Sequence, residues 1–171
     1  MAQKNKPVVA VVMGSDSDLD VMELSTDTLD QFGVPWELHV ISAHRSPDRC
    51  RTFARGAARR GLKVVIAAAG KAAHLAGVIA SQTQLPVIGV PIDAGMSGLD
   101  ALLSTVQMPR GVPVASMAVG KSGAVNAALH AVGILALSDR ALATRLAAFR
   151  KKQAAAVAAK SRAAARKVRG R

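Results

Sequence analysis

The 171-residue chain predicts an α/β protein, a three-layer α/β/α sandwich around a five-stranded parallel sheet with an extended C-terminal helix. Three observations carry this. Short apolar runs and longer amphipathic segments alternate from end to end, as βα units require. Most of the apolar runs are apolar along nearly their whole length, which suits strands covered on both faces. Half of the residues are apolar and 20% are charged, enough for one full core and too apolar for a disordered chain.

The elements follow in order. Residues 7–13 (Pro-Val-Val-Ala-Val-Val-Met) read as a strand ending at Gly14. Residues 17–32 place apolar side chains at Leu19, Met22, Leu24 (or Val21), Leu29 and Phe32, a helical spacing closed by Gly33. A second strand is expected over 36–41, and a second helix over 47–60 with Pro47 at its start and Gly61 as its cap. The third strand is expected over 63–69, its helix over 72–83, and the fourth strand over 85–90. An irregular stretch, 91–110, contains a short helix over 99–106. A fifth strand over 112–119, a helix over 122–137, and a last helix capped by Ser138-Asp139 complete the pattern. The simplest strand order is 2-1-3-4-5, the flavodoxin-like arrangement, whose ligands bind beyond the carboxyl ends of the strands. Residues 1–155 form a single α/β domain on this reading, and 156–171 a basic Ala/Lys/Arg-rich extension.

Composition narrows the function classes. Cys50 is the single cysteine, which excludes a disulfide framework and a cysteine-based zinc site, and no H-x-x-x-H or H-E-x-x-H spacing exists. No uncharged apolar run approaches the roughly 18 residues of a membrane span, and the first residues carry no secretory pattern. A cytoplasmic location is therefore expected, with no membrane partner. The net charge of +12 is concentrated: Arg150 to Arg171 holds nine basic and no acidic residues, leaving +3 on the first 149. With only four aromatic residues there is no stacking platform for single strands. The basic tail reads as a solvated helix, and nucleic acid is not an expected partner.

Three strand ends carry the candidate chemistry. After the first strand, Gly14-Ser15-Asp16-Ser17-Asp18 offers hydroxyls and N–H groups at a helix start. The same residues make an ordinary helix cap. Carboxylates repel phosphate, so a ligand here needs an aspartate facing something else, such as a ribose diol. After the second strand, Ser42-Ala43-His44-Arg45-Ser46-Pro47 places a hydroxyl, an imidazole able to move protons near neutral pH, and a guanidinium able to grip phosphate. A surface His–Arg pair is the bland alternative. After the third strand, Ala69-Gly70-Lys71-Ala72-Ala73-His74-Leu75 lets backbone approach a flat ligand closely, or else starts a helix of small residues. His39, His130 and Cys50 read as packing or surface residues.

These motifs, together with Leu-Pro-Val-Ile-Gly-Val-Pro at 85–91, Ser-Thr-Val-Gln-Met-Pro at 104–109 and Gly-Lys-Ser-Gly-Ala-Val-Asn-Ala-Ala at 120–128, resemble those of the N5-carboxyaminoimidazole ribonucleotide mutases (PurE, class I) of purine synthesis. The resemblance runs in unbroken order over about residues 7–149. It implies an isomerase that moves a carboxylate from an exocyclic nitrogen to ring carbon 4 without metal, ATP or other cofactor. It further implies His44 as general acid/base and His74 as the second active-site histidine. Ser15, Ser17, Asp18, Ser42, Arg45, Gly70 and Leu75 fall on the substrate-binding positions, with Ser15 and Arg45 toward phosphate and Asp18 toward ribose. A homo-octamer with shared sites is implied as well. Many relatives read Gly-Gly-Ala-Ala-His-Leu-Pro-Gly in the third motif, whereas this chain has Lys71 and Ala76 at the second glycine and the proline. Lys71 is either an inert exposed substitution or a cation near the substrate carboxylate. The related carboxylases carry lysine after the second-strand histidine and lack Ala-Ala-His-Leu, so Arg45 and His74 favour the mutases.

Overall fold

β1 (Val9–Met13) is an interior strand of the sheet with every residue at most 1% exposed, as expected for a strand packed on both sides. The computed structural model describes residues 6–169, and the backbone groups into two units, residues 1–132 and 133–171. In the first unit, β2 (Trp36–Val40), β3 (Val64–Gly70), β4 (Val87–Ile92) and β5 (Ala115–Ser116) join β1 in the order β2-β1-β3-β4-β5, all parallel. Met13 stands opposite Val40 on one side and Ala68 on the other. β1 and β2 therefore end level with each other, β3 runs two residues further to Gly70, and all three following segments leave from the same end of the sheet.

One face of the sheet, including Ala10, Val12, Val65 and Ala67, packs on Cys50, Phe53 and Ala57 of α2 (Pro47–Ala57) and on Leu75 and Ile79 of α3 (Leu75–Ala80). Cys50 is fully buried there, and burial pushes its thiol pKa up, so it is a packing residue. Side chains alternate along each strand, and the residues of the opposite face (Val9, Val11, Met13, Val64 and Ile66) are equally buried. The buried residues of α1 (Leu19–Gln31) are Met22, Leu29 and, unexpectedly, Ser25, Thr26 and Thr28. Leu19, on the expected apolar stripe, is 37% exposed. Hydroxyls can occupy the inner face because each finds an acceptor: Ser25 donates to the Ala124 carbonyl (2.7 Å) and Thr28 to that of Leu24 (2.7 Å). Ala124 belongs to α5 (Lys121–Ala136), which also carries the exposed His130.

Where expected and observed elements differ, turn geometry explains it. α3 starts at Leu75 rather than 72, because Lys71 adopts a left-handed conformation (φ 54°) and the Ala73 and His74 N–H groups bond two residues back, to Lys71 and Ala72. β4 continues through Pro91, whose carbonyl and missing N–H face the side where β5 has ended. β5 is only two residues long, between Pro113 and the turn at Gly120 (φ 70°). α4 (Leu99–Val106) is as expected.

At the sheet edge, Glu37 on β2 lies 3.0 Å from both Arg60 and His39. Burial pushes its carboxyl up, but these two partners outweigh burial and hold it below the ordinary range. His39 also tilts against Phe53, over which the Arg60 guanidinium sits at 4.9 Å, so His39 is a packing residue.

The second unit holds the end of α5 and then α6 (Arg140–Arg169), a single 30-residue helix. Its cap is Asp139, which accepts the Leu142 N–H at 2.9 Å. Residues 150–169 are all exposed.

Candidate active site

The loop after β1 begins at Gly14, whose N–H still reaches the β3 carbonyl of Ala68 (3.0 Å). The chain then folds into a 3₁₀ turn over Asp16–Asp18. Ser15 caps that turn, its Oγ accepting from the Ser17 N–H (3.3 Å) and lying 2.9 Å from the Ser17 hydroxyl. Asp18 is 5% exposed. Burial raises its pKa, opposed by hydrogen bonds from the Ser15 backbone and the Ser17 hydroxyl, with Asp16 adding repulsion. A buried carboxylate with no ion-pair partner among the described residues costs stability and offers two acceptor oxygens to a ligand.

This sets an expected pH dependence. A carboxyl whose pKa rises on folding binds its proton more tightly in the native state, so its contribution to stability is fully present below the unfolded pKa. That contribution is lost as pH rises through the folded value. Asp18→Asn is therefore expected to raise the melting temperature of the ligand-free protein at neutral pH. The gain shrinks as pH falls below the native Asp18 pKa, and calorimetry from pH 4 to 8 checks it.

The second loop is held by Ser42, which accepts from the Arg45 N–H (3.1 Å) and Nε (3.5 Å) while its carbonyl takes the Ser46 hydroxyl (2.9 Å). These bonds turn the Arg45 side chain back across the first loop, where Nη2 reaches the Gly14 carbonyl at 3.5 Å. The third loop leaves β3 at Gly70, where a Cβ would stand 2.7 Å from that of Ala94; only glycine fits. His74, at the start of α3, brings Nδ1 within 3.0 Å of His44 Nε2, the rings meeting edge to face at 89°. One imidazole must donate and the other accept, so each fixes where the other holds its proton.

Ser15, Ser17, Asp18, Ser42, His44, Arg45, Gly70 and Leu75 all line one cleft of about 660 Å³. That volume falls within the range of small-molecule sites, about 300–1,000 Å³. His74 does not line it; it stands behind His44 at a second cleft of about 360 Å³ with Gly77, Leu103 and Met108. Lys71 and Ala94 also line the main cleft. Ala94 carries no chemistry a sequence could signal; only its position beside Gly70 gives it a role. Cationic Arg45 and Lys71, anionic Asp18 and a hydrogen-bonded pair of imidazoles suit a ligand with separate anionic and hydroxyl groups and a proton to move. Among the described residues no cluster of three or more histidine, cysteine or carboxylate side chains is placed to hold a metal.

A family model described as AIR carboxylase matches residues 8–156. The N5-carboxyaminoimidazole ribonucleotide mutase of Brucella melitensis is 53% identical over 151 residues, spanning 88% of this chain and 93% of its own. The Escherichia coli protein of the same name is 50% identical over 155 residues, 90% of this chain and 92% of its own. Among solved structures, Treponema denticola PurE superposes with a TM-score of 0.79 at 26% identity, covering 88% of this chain and 94% of that one. The chain belongs to the AIR carboxylase family, alongside the N5-carboxyaminoimidazole ribonucleotide mutases.

Proposed function

We propose that the protein is an isomerase of purine biosynthesis that converts N5-carboxyaminoimidazole ribonucleotide to 4-carboxy-5-aminoimidazole ribonucleotide, with His44 as general acid and base. The observation that carries the reading is the meeting of His44, Arg45, Ser15 and Asp18, from two separate loops, in one cleft of nucleotide size. Arg45 leans over the Ser15 turn, where N–H groups and hydroxyls suit a phosphate. Asp18, whose charge would repel that phosphate, is suited to the ribose hydroxyls. Ser17, Ser42, Gly70 and Leu75 complete the substrate contacts.

The reaction then needs only proton movement and confinement. Protonated His44 gives its proton to the carbamate nitrogen, the N–C bond breaks with its electron pair going to nitrogen, and carbon dioxide leaves. Carbon 4 of the electron-rich aminoimidazole attacks that carbon dioxide, and neutral His44 removes the carbon 4 proton. The imidazole returns to its first state with nothing consumed. Holding carbon dioxide beside carbon 4 makes its recapture effectively intramolecular. His74 orients His44 through their 3.0 Å contact.

The test supplies either the carbamate nucleotide or aminoimidazole ribonucleotide with bicarbonate. Efficient formation of the ring-carboxylated product from the carbamate alone is expected; efficient formation only from the second mixture assigns the carboxylase reaction instead. Arg45, in place of the carboxylases' lysine, and the Ala-Ala-His-Leu element favour the first.

Assembly as a homo-octamer with active sites shared between subunits forms part of this proposal. Its support is the apolar stripe Leu99, Leu103 and Val106 along α4, each about half exposed, beside the second cleft. A cytoplasmic location is also proposed; among the described residues no helix is long and apolar enough to cross a membrane. Residues 1–155 are taken as the catalytic domain and 156–171 as a basic appendage.

A further inference from the structure

Lys71 is the residue of the cleft that the proposed reaction leaves without a task. It lines the cavity, it is exposed, and it holds a left-handed backbone (φ 54°) that lysine rarely adopts and glycine adopts freely. A glycine would hold this backbone without strain, so the chain keeps a strained lysine where an unstrained residue would serve the fold. The Ser104 hydroxyl reaches the Lys71 carbonyl at 3.5 Å, and the Ala73 N–H bonds the same oxygen at 2.8 Å, holding the turn that presents the side chain.

Besides the proposed acid/base His44, the cleft has two cationic side chains, Arg45 and Lys71, and they stand on different loops. Arg45 is drawn toward the first loop by its contact with Gly14. Lys71 belongs to the third loop, three residues before His74, whose ring touches the proposed acid/base His44. A nucleotide bearing both a phosphate and an ionised carboxylate has one anionic group for each cation. We infer that Lys71 is a specificity-determining residue that selects nucleotides whose heterocycle carries an ionised carboxylate, leaving the phosphate to Arg45. This rests on the mutase reading. An ammonium on a flexible stem suits a carboxylate that migrates between two positions better than a fixed planar fork would.

The experiment measures equilibrium binding of 4-carboxy-5-aminoimidazole ribonucleotide and of uncarboxylated 5-aminoimidazole ribonucleotide to full-length wild type, Lys71→Asn, Lys71→Gly and Lys71→Arg. Asparagine and glycine both tolerate the left-handed backbone, so neither should lower the melting temperature. Both should weaken the carboxylated nucleotide about three- to fivefold, the upper part of the range of a solvated ion pair. The uncarboxylated one should change by less than about twofold, and Lys71→Arg should keep most of the preference. The loss should shrink as salt is raised. Unchanged binding of the carboxylated nucleotide in Lys71→Asn, or equal weakening of both nucleotides, overturns the inference and leaves the mutase reading standing. Failure of wild type to bind either nucleotide overturns the mutase reading as well.

Discussion

His44→Asn is expected to slow carboxylate migration by about 10²- to 10⁴-fold, the usual worth of a positioned acid/base, while nucleotide affinity stays within a few fold. Asparagine can still donate and accept a hydrogen bond toward His74, so the 3.0 Å contact that joins the second and third loops has a substitute. What it cannot do is carry a proton to the carbamate nitrogen and take one back from carbon 4. Single-turnover kinetics with isothermal titration of the product nucleotide separates the two effects. A variant that turns over at near wild-type rate removes His44 from the chemistry. A variant that loses binding and turnover together makes His44 a positioning residue.

The second large effect is expected at Arg45. Removing the guanidinium in Arg45→Leu should weaken nucleotide binding by about 100-fold, since charge-assisted bonds to phosphate are each worth about 1.5–3 kcal/mol. The loss should fall mainly on the phosphate: the corresponding nucleoside, already weak, should lose far less affinity than the nucleotide. Arg45 also ties Ser42 to Gly14, so some loss of loop order accompanies the change. The nucleoside comparison isolates that structural part, because a disordered loop would weaken both ligands. Equal losses for nucleotide and nucleoside would contradict a phosphate role.

The sheet was legible in the sequence because its central strands are buried on both faces. Apart from Lys63 at its start, the runs at 7–13 and 63–69 have no polar residue to confuse the period; β1 lies within the first, and β3 overlaps the second and runs one residue past it. α4 and the cap of α6 were legible from helical spacing and from Asp139. The inner face of α1 was not, because Ser25 and Thr28 count as polar in any periodicity and become buried only when a carbonyl within reach satisfies each hydroxyl. The start of α3 is hidden for a backbone reason: lysine at 71 gives no sign of the left-handed turn that glycine would announce.

In the cleft, the chemistry-bearing side chains were legible and the space between them was not. Ser15, Asp18, His44 and Arg45 stand at strand ends where a doubly wound sheet puts its ligands, and the parallel registers of β1, β2 and β3 bring them together. His74 was identified by resemblance, yet its position behind His44, at a second cleft, follows from the delayed start of α3. Ala94 and the α4 residues of the second cleft come from the irregular stretch after β4, where neither spacing nor residue type marks a wall.

In the proposed reaction, carbon dioxide released from the carbamate is recaptured before it leaves the cleft. Carbon-13 in the carboxylate of the carbamate nucleotide, chased with excess unlabelled bicarbonate, tests it directly by mass spectrometry of the product. Ring-carboxylated nucleotide that retains nearly all of the label is the expected result. Product carrying the isotopic composition of the surrounding bicarbonate would contradict it.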